Sequence, residues 1–222
     1  MDPSYDPIYY LKRSLELNPG NCHAAHLHAN YLIGKGSFRK AVHYLNQFLH
    51  NFDEQSLLRN LLAKAYLHLN KIEEAEESIH IALTHEPRSK EILYTAFLIK
   101  RKKGDKFSAL HFLERILSLH EQSSEVLYEM AELLDSNTEL VRKINVLDIG
   151  YASNPGNRKF FQKLIECYLK YFDVTANEDL HPQMIRSFLN HLDKEVPSYF
   201  PIQIRQKITL RLKQIRASST LL

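Results

Sequence analysis

The sequence Asn18-Pro19-Gly20-Asn21 returns as Asn154-Pro155-Gly156-Asn157, 136 residues later in the chain. That interval is four times 34, and the same spacing of 34 separates Ala41, Ala75 and Ala109 from one another. A fixed period of about 34 residues is typical of stacked helical hairpins, because a single hairpin cannot bury its apolar face alone. The period therefore predicts an all-α fold built from helix-turn-helix units.

Residues at fixed places in this period support the same fold. The units begin at Cys22, Ser56, Lys90 and Ser124. Position 24 of each unit is a large aliphatic residue, in order Leu45, Ile79, Leu113 and Leu147. The turn inside the first three hairpins carries Gly36, Asn70 and Gly104, residues that tolerate the left-handed backbone with which many helices end. Small residues at position 20 let two helices approach closely, while the large residues fill the remaining space.

This pattern resembles the tetratricopeptide-repeat family over residues 22–157. The unit at 56–89 carries the family's residue types at Leu62, Ala63, Tyr66, Ala75, Ile79, Ala82 and Pro87. The resemblance implies a right-handed α-solenoid of tetratricopeptide helix-turn-helix repeats with a C-terminal helical cap.

Three segments are expected along the chain. Residues 1–21 would form a half-repeat, with the second helix of an incomplete unit at 7–17. Four repeats would follow at 22–55, 56–89, 90–123 and 124–157. Residues 158–222 would hold a degenerate fifth repeat and capping helices, which are predicted at about 182–193 and 198–216 from the helix-start residues Pro182 and Ser198.

The composition is that of a soluble globular chain, with 44% hydrophobic and 25% charged residues. The net charge of +3 is too small to indicate nucleic acid or a membrane by itself. Cys22 and Cys167 lie four repeats apart, which is beyond disulfide reach in a stacked array. No apolar run approaches the roughly 18 residues of a spanning helix. We therefore expect an intracellular protein, cytoplasmic or nuclear, without membrane insertion.

No motif for catalysis, a cofactor or a metal stands out. His23, His26 and His28 cluster beside Cys22, but zinc needs three or four converging ligands, and no CxxC or HExxH spacing is present. The basic run at 100–103 ends a predicted helix, where cations complement the helix dipole. We expect no enzyme, no cofactor and no metal site.

The resemblance also implies where a partner would bind. In the family, successive first helices line a concave groove that holds a segment of another protein. Carried over to this sequence, the candidate groove residues are His26, Asn30, Asn60, Lys64, Glu91, Tyr94, Leu98, Arg101, Glu125, Tyr128 and Glu132. Glu91 stands where a cation would be needed to hold a C-terminal carboxylate, so a chaperone-tail adaptor is not expected. The late acidic residues Glu125, Glu132 and Asp135 favour a partner with basic residues at that end.

The unpaired N-terminal helix is a second candidate surface. Ile8, Leu11 and Leu15, together with Tyr9, would form a half-covered apolar edge. Such an edge predicts either a homodimer or a contact with another partner, unless the chain is a piece of a longer solenoid.

The last predicted helix is basic and forms a third candidate surface. It carries Arg205, Arg211 and Arg216 as possible contacts. Its apolar stripe, expected to face the protein, consists of Ile204, Ile208, Leu212 and Ile215. A solvated capping helix is the first interpretation, and a contact with RNA, DNA or an acidic partner is the alternative.

Taken together, these patterns favour a non-enzymatic scaffold or adaptor, a subunit of a multiprotein assembly that binds a protein or peptide in the groove. One alternative is a chaperone or escort of a specific client protein. The other is a nucleic-acid-associated protein that uses the basic C-terminal helix, although nucleic acid is the less favoured partner.

Overall fold

The computed structural model describes residues 7–52, 55–120, 123–175, 182–192 and 200–219. Within these residues the chain forms twelve α-helices, one short 3₁₀ helix at Asn137–Glu139 and no β-strand. None of the described helices is long and apolar enough to cross a membrane. The prediction of an all-α array of helical repeats is confirmed.

The chain divides into two compact units, Met1–Glu121 and Gln122–Leu222. The described helices of the first unit are α1 (Pro7–Leu17), α2 (Cys22–Gly34), α3 (Phe38–Asn51), α4 (Ser56–His68), α5 (Ile72–His85), α6 (Lys90–Lys103) and α7 (Lys106–Leu119). Those of the second unit are α8 (Ser124–Leu133), α9 (Leu140–Ser153), α10 (Arg158–Val174), α11 (Pro182–His191) and α12 (Ile202–Ser219). The helix predicted at 7–17 has the same bounds in the structure.

Each hairpin of the first unit turns at a residue with left-handed backbone. The φ angles are 68° at Gly36, 59° at Asn70 and 82° at Gly104. This region is strained for residues with a bulky side chain, and glycine and asparagine enter it at the lowest cost. The three turn residues predicted from the sequence are confirmed.

Polar side chains define where several helices begin. The Asn21 carboxamide oxygen accepts a hydrogen bond of 3.1 Å from the Ala24 N–H, and the Asp105 carboxylate accepts one of 3.1 Å from the Ser108 N–H. Both contacts satisfy backbone donors that have no partner within the helix, an effect worth about 1 kcal/mol. The repeat register is therefore reinforced by local chemistry at α2 and α7.

The core of the first unit lies between first and second helices of the hairpins. Ala41, Ala75 and Ala109 are all 0% exposed, as their place in the repeat predicts. In one apolar cluster, Ala25 and Ala29 of α2 pack with residues of α3 and α4, which are Leu45, Phe48, Leu49, Leu58, Leu61 and Leu62. Close contact between helices at small residues is thus what joins one hairpin to the next.

The second unit departs from the strict period. A 3₁₀ turn with a capping box between Ser136 and Glu139 separates α8 from α9. The core beyond α9 is aromatic, since Tyr168 and Phe188 are both 0% exposed and their ring centroids lie 5.6 Å apart. Stacked and edge-to-face contacts between such rings add stability beyond the apolar area that they bury.

The last helix partly matches its prediction. Ile208 and Ile215 are 0% and 7% exposed, so the predicted apolar stripe does face the protein. The described helix α12 begins at Ile202, and the predicted start at Ser198 lies outside the described residues. The Pro201 carbonyl accepts a hydrogen bond of 3.0 Å from the Arg205 N–H. Proline fits immediately before a helix because its φ angle is fixed near the helical value.

Candidate functional site

The predicted groove residues lie on the first helices of the hairpins. In the first unit α2 packs against α4, and α4 packs against α6. We call the predicted residues on these three helices the groove face, namely His26, Asn30, Asn60, Lys64, Glu91, Tyr94, Leu98 and Arg101. Glu125, Tyr128 and Glu132 lie on α8 in the second unit and are described with it below.

At the first hairpin the groove face is polar and exposed. The Asn30 carboxamide nitrogen lies 3.2 Å from His26 Nδ1 and 3.3 Å from His26 Nε2. The two side chains are four residues apart, which places them on the same side of α2. They form a small hydrogen-bonding surface. Among the described residues, no three His, Cys, Asp or Glu side chains are grouped so that they could hold a metal ion.

Asn60, Lys64 and Glu91 form a polar cluster at the centre of the groove face. Glu91 Oε1 accepts hydrogen bonds from Asn60 Nδ2 at 3.1 Å and from Lys64 Nζ at 2.6 Å. Asn60 is 0% exposed, and its Oδ1 atom has no hydrogen-bond partner among the described residues. A buried acceptor without a donor costs about 1–3 kcal/mol. Because the Asn60 side chain is fully buried, it contributes by holding Glu91 in place and offers no exposed atom to a partner.

An ion pair with Lys64 changes how the charge of Glu91 acts on a partner. Sequence reasoning treated Glu91 as an uncompensated negative charge, but Lys64 neutralises it across the α4–α6 contact. The Lys64 and Glu91 side chains are 31% and 51% exposed, so the pair is worth only about 0.2–1 kcal/mol. Lys64 is nevertheless engaged, and this is a second physical reason why the groove face is poorly suited to a terminal carboxylate.

The α6 end of the groove face combines two leucines with polar and cationic side chains. Leu98 lies beside Leu67, His68, Arg101 and Lys102 in a shallow cavity of about 410 Å³. Such a cavity has the composition to take an apolar side chain that is followed by an acidic one.

Aromatic packing positions the side chains at this end. The Tyr94 and Phe97 ring centroids lie 5.3 Å apart, and the Arg101 guanidinium lies 5.0 Å from the Phe97 ring centroid. Phe97 itself is 0% exposed, so it is a fixed platform under both side chains. Stacking of this kind holds a cation without removing its ability to bind an anion.

The basic run at the end of α6 is partly neutralised. Glu76 on α5 binds Lys100 Nζ at 2.6 Å and Lys103 Nζ at 2.5 Å. Burial by itself would raise the pKa of Glu76, but the hydrogen bonds from the two lysines outweigh it and lower that pKa below its usual value. Sequence reasoning attributed the run to the helix dipole and missed these pairs, because the partners are 24 and 27 residues apart.

In the second unit, Glu132 and Tyr128 share a cation. Lys163 on α10 forms an ion pair with Glu132, and its Nζ lies 5.0 Å from the Tyr128 ring centroid. Glu125 remains exposed beside a cavity of about 270 Å³ that Tyr128 and Phe160 also line. The expected late acidic surface is therefore weaker than its sequence suggests, since one of its carboxylates is compensated within the unit.

The basic helix α12 uses one of its predicted contacts internally. Arg211 Nη2 donates hydrogen bonds of 2.8 Å to the Phe172 carbonyl and 3.1 Å to Asp173 Oδ1. The interpretation of Arg211 as a surface contact is wrong, because this side chain anchors α12 on α10. Arg205 is half-buried, and its Nε has no hydrogen-bond partner among the described residues. The side chain of Arg216 lies outside the described residues.

The exposed surface of the N-terminal helix agrees in part with the predicted one. Ile8 and Leu11 are half-buried, and Tyr9, which belongs to the predicted edge, is 62% exposed. Leu15 packs against the apolar cluster of α2, α3 and α4, so it does not lie on an open edge. Two further large side chains of α1 are exposed, Tyr10 at 52% and Leu17 at 74%.

A known protein family matches part of this chain. The family described as anaphase-promoting complex, cyclosome, subunit 3 matches residues 6–82, which run from the start of α1 into α5. Among curated protein sequences, none matches this chain significantly.

Solved structures share the fold at low sequence identity. YrrB, described as a TPR protein with an unusual peptide-binding site, is 16% identical with a TM-score of 0.62, over 83% of this chain and 93% of YrrB. TTC0263, a thermophilic TPR protein in Thermus thermophilus, is 18% identical with a TM-score of 0.58, over 73% and 89%. MamA is 19% identical with a TM-score of 0.59, over 74% and 92%. Identities this low establish a common fold and leave function to the residues of each chain.

Proposed function

Because this chain has the tetratricopeptide-repeat fold that its period predicted, we propose that it is a non-enzymatic scaffold that binds an extended segment of a partner protein on the groove face. The observation that carries the proposal is the surface beside Asn60 on α4 and α6, where Leu57 is 43% exposed and Leu98 lines a cavity of about 410 Å³ together with Leu67, Arg101 and Lys102.

Side chains on α4 and α6 supply this binding surface. Leu57 extends the groove face, because it lies one turn before Asn60 on α4 and its exposed apolar side chain is available to a partner. At the α6 end, Leu98 and Leu67 line the cavity, and Arg101 and Lys102 add positive charge there. This arrangement favours a segment with an apolar residue near Leu57 and an apolar residue followed by an acidic one near Leu98.

A role inside a larger assembly is part of the proposal. The matched family is described as a subunit of the anaphase-promoting complex, and the match spans α1 to α5 of the first unit. One structural neighbour, YrrB, is described as having a peptide-binding site. Both findings support an adaptor that joins other proteins. Arg211 donates a hydrogen bond to the Phe172 carbonyl, so it no longer counts in favour of a nucleic-acid contact.

The test is affinity capture with quantitative mass spectrometry, using variants matched in chemistry. Leu57→Glu and Leu98→Glu alter the groove face, while Phe107→Glu places the same charge at an 84% exposed position on α7. We expect partners that wild type and Phe107→Glu retain and that both groove variants lose. Identical partner sets for all four proteins would refute binding on the groove face. Circular dichroism of each variant checks that it is folded.

A further inference from the structure

A second surface of the first unit is exposed where the repeat predicts burial. Leu27 and Tyr31 on α2 are 41% and 43% exposed. Their counterparts 34 residues later, Leu61 and Ala65 on α4, are 1% and 0% exposed, and Ile99, the counterpart of Tyr31 after two periods, is 0% exposed. The same positions of the repeat are thus covered in two copies and open in the first.

The structure shows what covers these positions in the next copy. Ala25 and Ala29 of α2 lie in one apolar cluster with Leu45 of α3 and Leu61 of α4. The covering element is therefore an α-helix with alanines four residues apart. Its small side chains let the helix approach Leu45 and Leu61 closely.

One period earlier, the counterparts of Leu45 and Leu61 are Leu11 and Leu27. We call Leu11, Leu27 and Tyr31 the N-terminal edge. Leu11 is half-buried, whereas Leu45 is 0% exposed. The N-terminal edge is therefore an open copy of the interface that α2 fills against α3 and α4, and the exposure of Leu27 and Tyr31 shows that no described helix covers it.

Charge around the N-terminal edge is positive. Lys35 Nζ lies 5.7 Å from the Tyr31 ring centroid. Lys12 on α1 is close enough to lower the pKa of His28, after the larger effect of burial. The acidic residue of α1, Glu16, is bound to Arg13 at 2.8 Å. An occupant with acidic side chains beside its apolar stripe would complement Lys12 and Lys35.

We propose that the N-terminal edge docks an amphipathic α-helix of a separate protein, with an Ala-x-x-x-Ala stripe against Leu11, Leu27 and Tyr31 and acidic residues beside that stripe. The helix would take the place that α2 takes against α3 and α4. This surface is distinct from the groove face, so one chain would hold two partner segments at once, an extended one on the groove face and a helical one at the edge.

The probe is a fluorescently labelled, helix-stabilised peptide with alanines at the two stripe positions and glutamates beside them, titrated with the full chain by fluorescence anisotropy. We expect saturable binding to wild type that Leu27→Glu weakens by about tenfold or more, because a charge is then placed in an apolar contact. Tyr31→Ala is a second variant that adds no charge and is expected to weaken binding severalfold. A control peptide with leucine at both stripe positions should bind at least about tenfold more weakly, since bulkier residues cannot approach the helix as closely.

Leu57→Glu is the matched control variant, because Leu57 is 43% exposed on the groove face and Leu27 is 41% exposed at the edge. It should bind the helical probe as wild type does, while it loses partners of the groove face. The peptide titration does not depend on the outcome of the affinity capture with groove variants, so each proposal can fail without the other. Absence of saturable binding to wild type, or equal binding to Leu27→Glu, overturns the proposal. A concentration-dependent dimer that Leu27→Glu abolishes also overturns it, because the occupant is then a second copy of the chain.

Discussion

The contact between Gly150 and Phe160 gives a quantitative test of packing in the second unit. A methyl group at Gly150 would lie 2.2 Å from Phe160 Cε1 and 2.7 Å from Phe160 Cζ. Ordinary carbon contacts are about 3.5–4.0 Å, so the ring would have to move by roughly an ångström. Phe160 is 2% exposed and packs edge-on against Tyr128, with ring centroids 5.4 Å apart, so the ring has little room to move.

The Gly150→Ala substitution combines two opposing effects. Overpacking a buried site costs about 1–3 kcal/mol. The cost at Gly150 belongs in the upper half of that range, because the added methyl group overlaps two atoms of the Phe160 ring. Alanine in a helix interior recovers about 0.5–1 kcal/mol relative to glycine. We therefore expect a net loss of about 1–2.5 kcal/mol of stability. For a chain of this length the melting temperature should fall by roughly 2–10 °C.

Gly34→Ala is the matched control, because it is the same substitution at another helical glycine. No atom lies within 4 Å of the position of the added methyl group at Gly34, and its φ is not left-handed. We expect a gain of about 0.4–1 kcal/mol there, from the reduced freedom of the unfolded chain.

Thermal unfolding followed by circular dichroism measures both glycine variants, and a double-mutant cycle identifies the cause. Phe160→Leu removes the Cε1 and Cζ atoms, so in that background Gly150→Ala should cost less than about 0.5 kcal/mol. The reasoning is refuted if Gly150→Ala stabilises the protein as Gly34→Ala does. It is also refuted if the cost of Gly150→Ala is the same in the Phe160→Leu background.

Two further predictions concern the first unit. Leu113→Ala removes a side chain that is 0% exposed and should cost about 2–5 kcal/mol in urea unfolding, whereas a loss below about 1 kcal/mol would show that the core collapses around the vacancy. The pKa of His28 is lowered from its ordinary value of 6.5 by burial and then by Lys12, so the folded state favours the neutral ring. Its contribution to stability is present above about pH 6.5 and is lost as pH falls through the lower pKa of the folded state. His28→Gln should therefore flatten the decline in melting temperature between about pH 7 and pH 5, and an unchanged slope would assign that decline to other groups.

The candidate site was predictable only in part. The resemblance identified Asn60, Lys64 and Glu91 as groove residues from their places in the repeat. The contact between Lys64 and Glu91, 27 residues apart, could not be predicted from that register. It depends on how α4 and α6 pack, and this packing turns an isolated negative charge into a neutral pair.

Arg211 shows the same limit in the second unit. Its place in a basic helix suggested a surface contact, but its hydrogen bond to the Phe172 carbonyl joins residues 39 apart. The neighbour that engages an arginine is set by helix packing, which the charge pattern of one helix does not contain.

The sequence by itself determined the period, the helices and their turns, because these depend on local chemistry such as the left-handed backbone at Gly36, Asn70 and Gly104. The tertiary structure decided which equivalent positions are buried. Leu27 and Leu61 are the same residue at the same position of the repeat, yet they are 41% and 1% exposed. The difference arises because α2 covers Leu61 and no described helix covers Leu27, and burial is a property of the neighbours that surround a residue.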